Sequence, residues 1–299
     1  MSNVSQHLIS GALSGFASGI CLQPFDLLKT RMQQGDGRLV DSMFIWWATR
    51  EVVRTNGLTG LWRGTTATLL RNIPGVALYF TGLNQLRTAM ATSPYFAVVH
   101  SQVENHHGST LPKLSSQGNL LAGGTTRVAV GFILNPFSVL KARYESNLYT
   151  YNNVFGALRS IARAGPSELF RGFVPSALRD APYAGLFVVF YESIKGRTSR
   201  LLPSDSPLQA TAVHSFAGAS AGAIATMVTH PFDVVKTKMQ VRTETRYRGL
   251  LQTVFTVWKQ RGFPGFFDGA TLRLSRKVLS SAIGWAVYEG MLMLMHSSK

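Results

Sequence analysis

Three segments of this 299-residue chain repeat one another: Pro24-Phe-Asp-Leu-Leu-Lys-Thr-Arg31, Pro136-Phe-Ser-Val-Leu-Lys-Ala-Arg143 and Pro231-Phe-Asp-Val-Val-Lys-Thr-Lys238. Pro, Phe, two aliphatic residues, Lys and a closing base stand at the same offsets each time. A second motif follows each copy: Gly60-Leu-Trp-Arg-Gly64, Glu168-Leu-Phe-Arg-Gly172 and Gly265-Phe-Phe-Asp-Gly269. From Pro to closing Gly the spans are 40, 36 and 38 residues, and successive Pro positions are 112 and 95 apart. Self-similarity of this length limits the fold to one supersecondary unit used three times. The repeats are expected at 3–92, 114–200 and 209–297, with a polar loop at 93–113 holding His100, Glu104, His106 and His107. Those four could bind a metal in principle, but their spacing fits a polar loop better, so no metal is expected.

Ahead of each Pro runs a stretch with little or no charge: 1–25, then 114–126 and 128–137 around Arg127, then 206–232. Runs of 18 or more such residues are candidate transmembrane helices. Gly11, Gly15 and Gly19, then Gly123 and Gly131, then Gly218 and Gly222 fall at helical spacing. These glycines fit close helix packing. A second apolar stretch follows each closing Gly, at 72–86, 181–191 and 278–288. Two helices per repeat make six. The chain is 45% hydrophobic and 15% charged, with a mean hydropathy of +0.10. Soluble domains carry about 25% charged residues. These values suit helices that surround water.

Segments 29–63, 141–171 and 236–268 hold 18 of the 30 Lys and Arg residues, while 86–118 and 195–208 hold 2 and 3. This is the asymmetry of a positive-inside membrane protein. Residues 42–55, with Phe44, Trp47, Arg50 and Arg54, read as a surface helix on the basic side. The net charge of +16 admits nucleic acid, anionic lipid or anionic substrates as partners. No zinc-finger spacing, aromatic-basic RNA motif or basic zipper is present, so nucleic acid is not expected. Cys21, the one cysteine, cannot form an internal disulfide. Residues 1–25 lack Lys and Arg, which argues against an Arg-rich transit peptide or a secretory signal. No nucleophile elbow, zincin motif or phosphate-binding Gly-Lys-Ser/Thr loop appears, so neither an enzyme nor a cofactor is expected. His214 and His230 read as polar helix residues.

The triplicated Pro-x-acid-x-x-base motif with its trailing aromatic-base-Gly resembles the mitochondrial carrier family over about residues 5–295. The resemblance implies an all-α membrane protein: six transmembrane helices in three pseudo-threefold repeats around a central cavity, with short matrix surface helices. It implies multi-pass residence in the mitochondrial inner membrane with both termini towards the intermembrane space. Membrane lipid, with cardiolipin as the candidate, is the implied macroscopic partner. Within the family the chain looks most like members that import glycine for haem (5-aminolevulinate) synthesis by alternating access. Another small neutral amino acid, such as serine or alanine, is the alternative.

By the same resemblance the odd helices close a matrix gate. Asp26 is expected to pair with Lys141 and Asp233 with Lys29, braced by Gln33 and Gln240. Lys236 would meet an acid at 138, but the residue there is Ser138. Solvated charges at helix ends, or pairs within one helix, are the alternatives. A cytoplasmic-side gate would use Arg87, Glu192, Lys195 and Glu289, with Glu289 facing Arg87. Its copies are incomplete: Asn84 and Leu292 stand where an acid and a base belong.

Seven residues past each closing Gly stand Arg71, Arg179 and Arg276, and Asp180 follows Arg179. Ionisable residues inside membrane helices mark substrate paths. In the family an Arg-Asp pair at this place marks amino-acid carriers, with Arg276 as a further contact and Val76 and Tyr79 nearby. A zwitterion needs a cation for its carboxylate and an anion for its ammonium, and the Arg fork matches a carboxylate. The alternative is a purely structural Arg179–Asp180 pair; neighbours on a helix do not face one another, which argues against it. Arg127 replaces a small residue nine before the Pro, and either lines the cavity as a carboxylate partner or satisfies backbone carbonyls.

Overall fold

Each Pro of the repeat breaks a helix at the same place. Pro has no N–H and its ring clashes with the carbonyl four residues back. In the computed structural model the helical backbone turns at Leu22, Leu134 and Thr229, two residues before Pro24, Pro136 and Pro231. The structure describes residues 16–35, 41–92, 116–151, 153–201 and 207–297. The 93–113 loop, its histidines and residues 1–15 lie outside them.

Helices follow in chain order: α1 (Gln23–Gln34), α2 (Asp41–Asn56), α3 (Thr65–Ala91), α4 (Ser116–Ile133), α5 (Asn135–Glu145), α6 (Val154–Arg163), α7 (Pro166–Leu169), α8 (Phe173–Leu201), α9 (Pro207–Val228), α10 (His230–Val241), α11 (Leu250–Arg261) and α12 (Ala270–Ser297). No strand occurs among the described residues. The expected surface helix is α2. Two tight bends recur in every repeat. Gly57, Gly165 and Gly262 precede a short turn of helix, and Gly64, Gly172 and Gly269 close it, all with positive φ. Only glycine takes that backbone without strain.

The chain forms two compact units that cut across the repeats. The first holds Met1–Arg71, Pro136–Gly172 and His230–Lys299; the second holds Asn72–Asn135 and Phe173–Thr229. The first unit has three hydrophobic clusters built from equivalent residues. Leu28, Met32, Val52 and Leu61 belong to one; Leu140, Tyr144, Ile161 and Leu169 to the next; Val235, Met239, Val257 and Phe266 to the third. Each cluster fastens the surface helix of its repeat to the helix that starts at the Pro. In the second unit α4 and α9 both pack against α8. Gly82 of α3 sits so close to Thr126 of α4 that an added Cβ would lie 3.2 Å from its methyl.

The long helices of the chain are not uniformly apolar. Among the described residues no helix is long and apolar enough to cross a membrane. Length is sufficient: α3, α8 and α12 have 27, 29 and 28 residues. Apolarity is not. Those three carry arginines, and α9 dilutes its aliphatics with Gly, Ser, Thr and Ala.

Two of these positive-φ glycines supply a first prediction. A Cβ on Gly172, at φ +71°, would lie 2.8 Å from Gln240 Cγ and 3.2 Å from the Lys236 carbonyl. Gly262, at φ +64°, has its nearest neighbour at 3.9 Å. Both Ala variants bear the cost of a positive-φ backbone, about 1–3 kcal/mol. Gly172→Ala alone adds a clash with Gln240 Cγ and a tight approach to the Lys236 carbonyl. In a thermal-shift assay on detergent-purified protein it should melt below Gly262→Ala, and equal melting would contradict the packing described.

Candidate functional site

The helix breaks aim the Pro-started segments α1, α5 and α10 of the first unit at one another. Lys141 Nζ lies 2.6 Å from Asp26 Oδ2. Lys29 pairs with Asp233. Each base reaches the acid of the preceding repeat in cyclic order. At the third position Ser138 and Lys236 are both buried, and Gln240 Nε2 donates to Ser138 Oγ over 3.4 Å.

The residue nine past each Pro follows the same cycle. Gln33 Nε2 donates to Asp233 Oδ2 (3.2 Å) and the Asp268 carbonyl (3.3 Å), and its Oε1 accepts from Thr237. Gln240 donates to Ser138 and to the Arg171 carbonyl. In the middle repeat this residue is Glu145, which the sequence reading passed over. Gln23 Nε2 donates to its Oε1 (3.1 Å) and Thr30 Oγ1 to its Oε2 (2.7 Å). Lys141 Nζ is 3.5 Å away. Gln23 is itself held, accepting from Thr68 and donating to the Arg63 carbonyl. The Pro-plus-nine spacing was the signal that could have found Glu145.

Around this centre lies a basic rim. Arg143 pairs with Glu168, which also accepts from Arg171 (2.9 Å). Burial pushes the Glu168 carboxyl up, but hydrogen bonds from Arg143 and Arg171 and the Arg171 charge hold it below its ordinary value. Arg261 pairs with Asp268 at 3.0 Å.

The arginines expected in the substrate path are engaged within the protein. Arg276 of α12 pairs with Asp26, so this acid serves both Lys141 and Arg276. Arg71 lies half-buried on α3. In the second unit Arg179 and Asp180 form a two-point pair, Nε–Oδ1 2.8 Å and Nη2–Oδ2 3.0 Å. This corrects the argument that helix neighbours cannot meet. Their Cβ atoms diverge by about 100°, but the long Arg side chain curls back to the carboxylate beside it. Arg127 is exposed, with its guanidinium 5.7 Å from the Tyr79 ring centre. That is a cation–π distance. Val76 is exposed.

Of the other expected gate, Arg87 donates to Asn119 Oδ1 at 2.6 Å. Glu192 is exposed, and Lys195 Nζ sits 5.8 Å from the Tyr191 ring centre. The Glu289 side chain lies outside what is described. His230 Nε2 meets the Asp268 carbonyl at 3.0 Å, in keeping with a polar helix residue.

The sequence profile described as "Mitochondrial carrier protein" matches residues 1–94, 112–200 and 209–299. Among similar curated proteins, the "Mitochondrial glycine transporter" of Laccaria bicolor is 63% identical over 308 residues, covering 100% of both chains. The protein of that name in Aspergillus niger is 42% identical, covering 98% of this chain and 91% of its own. Its counterpart in Mycosarcoma maydis is 40% identical, covering 94% and 82%.

Proposed function

This chain belongs to the mitochondrial carrier family, and on that premise we propose that it carries glycine across the mitochondrial inner membrane into the matrix. As a member of a transporter family it is not an enzyme. The observation that carries the substrate class is the Arg179–Asp180 pair. Such a pair can open and take a zwitterion one charge for one: the substrate carboxylate replaces Asp180 on Arg179, and the ammonium replaces Arg179 on Asp180. A ligand without either charge gains nothing by parting them. Glycine itself is favoured by the name shared by the relatives. It is also favoured by small residues near Asp180, Ala181 next in sequence and Ala184 one helical turn on.

Transport runs by alternating access. The Asp26–Lys141 and Lys29–Asp233 pairs, with Gln33, Gln240, Ser138 and Lys236, form the matrix gate. Arg87, Glu192, Lys195 and Glu289 belong to the opposite one. Within the first unit Arg276 holds the gate acid Asp26. A substrate carboxylate that draws it from Asp26 removes one of that acid's two cations and so weakens the matrix closure. A ligand shifts an equilibrium only through such a difference between states. Arg71, Val76, Tyr79 and Arg127 complete the path. The termini face the intermembrane space, and cardiolipin is the lipid partner. The imported glycine feeds 5-aminolevulinate synthesis, so cells without the protein should make less haem and recover on excess glycine.

Uptake of labelled glycine, serine, alanine, lysine, malate and ATP into liposomes holding the purified chain tests this. Glycine should enter fastest. Preference for serine or alanine would change the substrate, and uptake of malate or ATP without glycine would remove the class.

A further inference from the structure

The middle repeat departs from the other two at two gate positions at once. Where they carry Asp26 and Asp233 it has Ser138, and where they carry Gln33 and Gln240 it has Glu145. One carboxylate has in effect moved seven residues along α5. The gate keeps three acids, but two of them, Asp26 and Glu145, now flank a single ammonium, Lys141.

The surroundings of Glu145 are specific. The residue is 2% exposed. From its own helix it faces Lys141, and from α1 it faces Asp26, with Lys29 behind. Arg276 of α12 reaches the group through Asp26. The loop before α3 contributes the Arg63 backbone carbonyl through Gln23. The two acids and two cations, Lys141 and Arg276, balance. Asp26 holds Lys141 at 2.6 Å, while Glu145 stands 3.5 Å from it and otherwise receives uncharged donors, an amide and a hydroxyl. Arg276 is the most exposed of the four, at 32%. Taking it away leaves two buried carboxylates against one cation, and a buried unbalanced charge is costly.

We propose that Glu145 binds a proton that accompanies each glycine, taken up when the substrate carboxylate draws Arg276 from Asp26. The neutral acid fits the site. Its carbonyl oxygen keeps the Gln23 bond, and its hydroxyl donates to Thr30 once the threonine turns to accept. The other repeats already place a neutral carboxamide there: Gln33 accepts from Thr237 as Glu145 does from Thr30. The proton enters from the intermembrane-space side with the substrate. It leaves to the matrix when the gate parts and Glu145 meets water. Each cycle then moves a zwitterion plus one positive charge.

This inference rests on the glycine reading, and one experiment separates the two. Purified full-length protein in liposomes is given labelled glycine under an imposed pH gradient, with the potential clamped and a pH dye in the lumen. Acid outside should drive accumulation, at one-to-one coupling about tenfold per pH unit, and the lumen should acidify as glycine enters. Glu145→Gln should abolish both responses. Glycine entry by the wild type without proton movement, or a Glu145→Gln protein that keeps the pH response, overturns the proton site and leaves the glycine reading standing. No glycine entry under any gradient overturns both. If the variant does not fold, the wild-type proton measurement decides alone.

Discussion

Asp180→Asn protein in liposomes is expected to lose about ten- to a hundredfold in apparent affinity for glycine. This is the factor that loss of a charge-assisted contact of about 1.5–3 kcal/mol produces. Asp180 now accepts two bonds from Arg179, at 2.8 and 3.0 Å, with its side chain 23% exposed. An amide keeps the shape and one acceptor but cannot balance an ammonium. Arg179→Ala should cost a similar factor by removing the planar partner of the carboxylate. Melting temperature separates this from a structural role. A pair that only braces α8 would, when broken, lower the melting temperature and leave apparent affinity where it was. A substrate contact would do the reverse. Unaltered glycine affinity in both variants would remove the site.

Ser138→Asp should slow transport and raise the melting temperature. Residue 138 stands where Asp26 and Asp233 stand in the other repeats, and Lys236, the base that follows in the cycle, is already buried at 8% exposure. A carboxylate there joins an ammonium whose desolvation has already occurred, so the new pair escapes part of the usual penalty. If the pair forms only with the matrix gate closed, a gain of about 1.5–3 kcal/mol makes opening roughly ten- to a hundredfold rarer. Labelled-glycine exchange rates and a thermal-shift assay read the two effects. Faster turnover with earlier melting would refute the proposed cycle. Ser138→Ala controls for the loss of the Gln240 bond to Ser138 Oγ.

Much of the architecture follows from local rules that act on neighbouring residues. Pro24, Pro136 and Pro231 each end one helix and begin another, because a missing N–H and a ring clash act within one turn. Gly64, Gly172 and Gly269 recur because a chain that reverses with positive φ needs glycine. Such features depend on a few consecutive residues, so they repeat wherever the sequence repeats. The assignment of Asp26 to Lys141 came from family resemblance, since spacing alone equally allowed pairs within one helix.

The contacts that distinguish this chain within its fold have no local signature. Thr30 and Glu145 meet across 115 residues, and Arg276 reaches Asp26 from another repeat. Those meetings depend on how each helix is rotated about its axis, which the packing of Leu28, Leu140 and Val235 in their clusters sets. Periodicity in the sequence does not encode that rotation. Even the adjacent Arg179 and Asp180 were misjudged, because backbone geometry describes where Cβ atoms point and an arginine extends well past its Cβ. The repeated sequence therefore specifies the breaks, the bends and the three-fold plan. Which charges share a partner is decided when the helices pack and long side chains reach the nearest opposite charge.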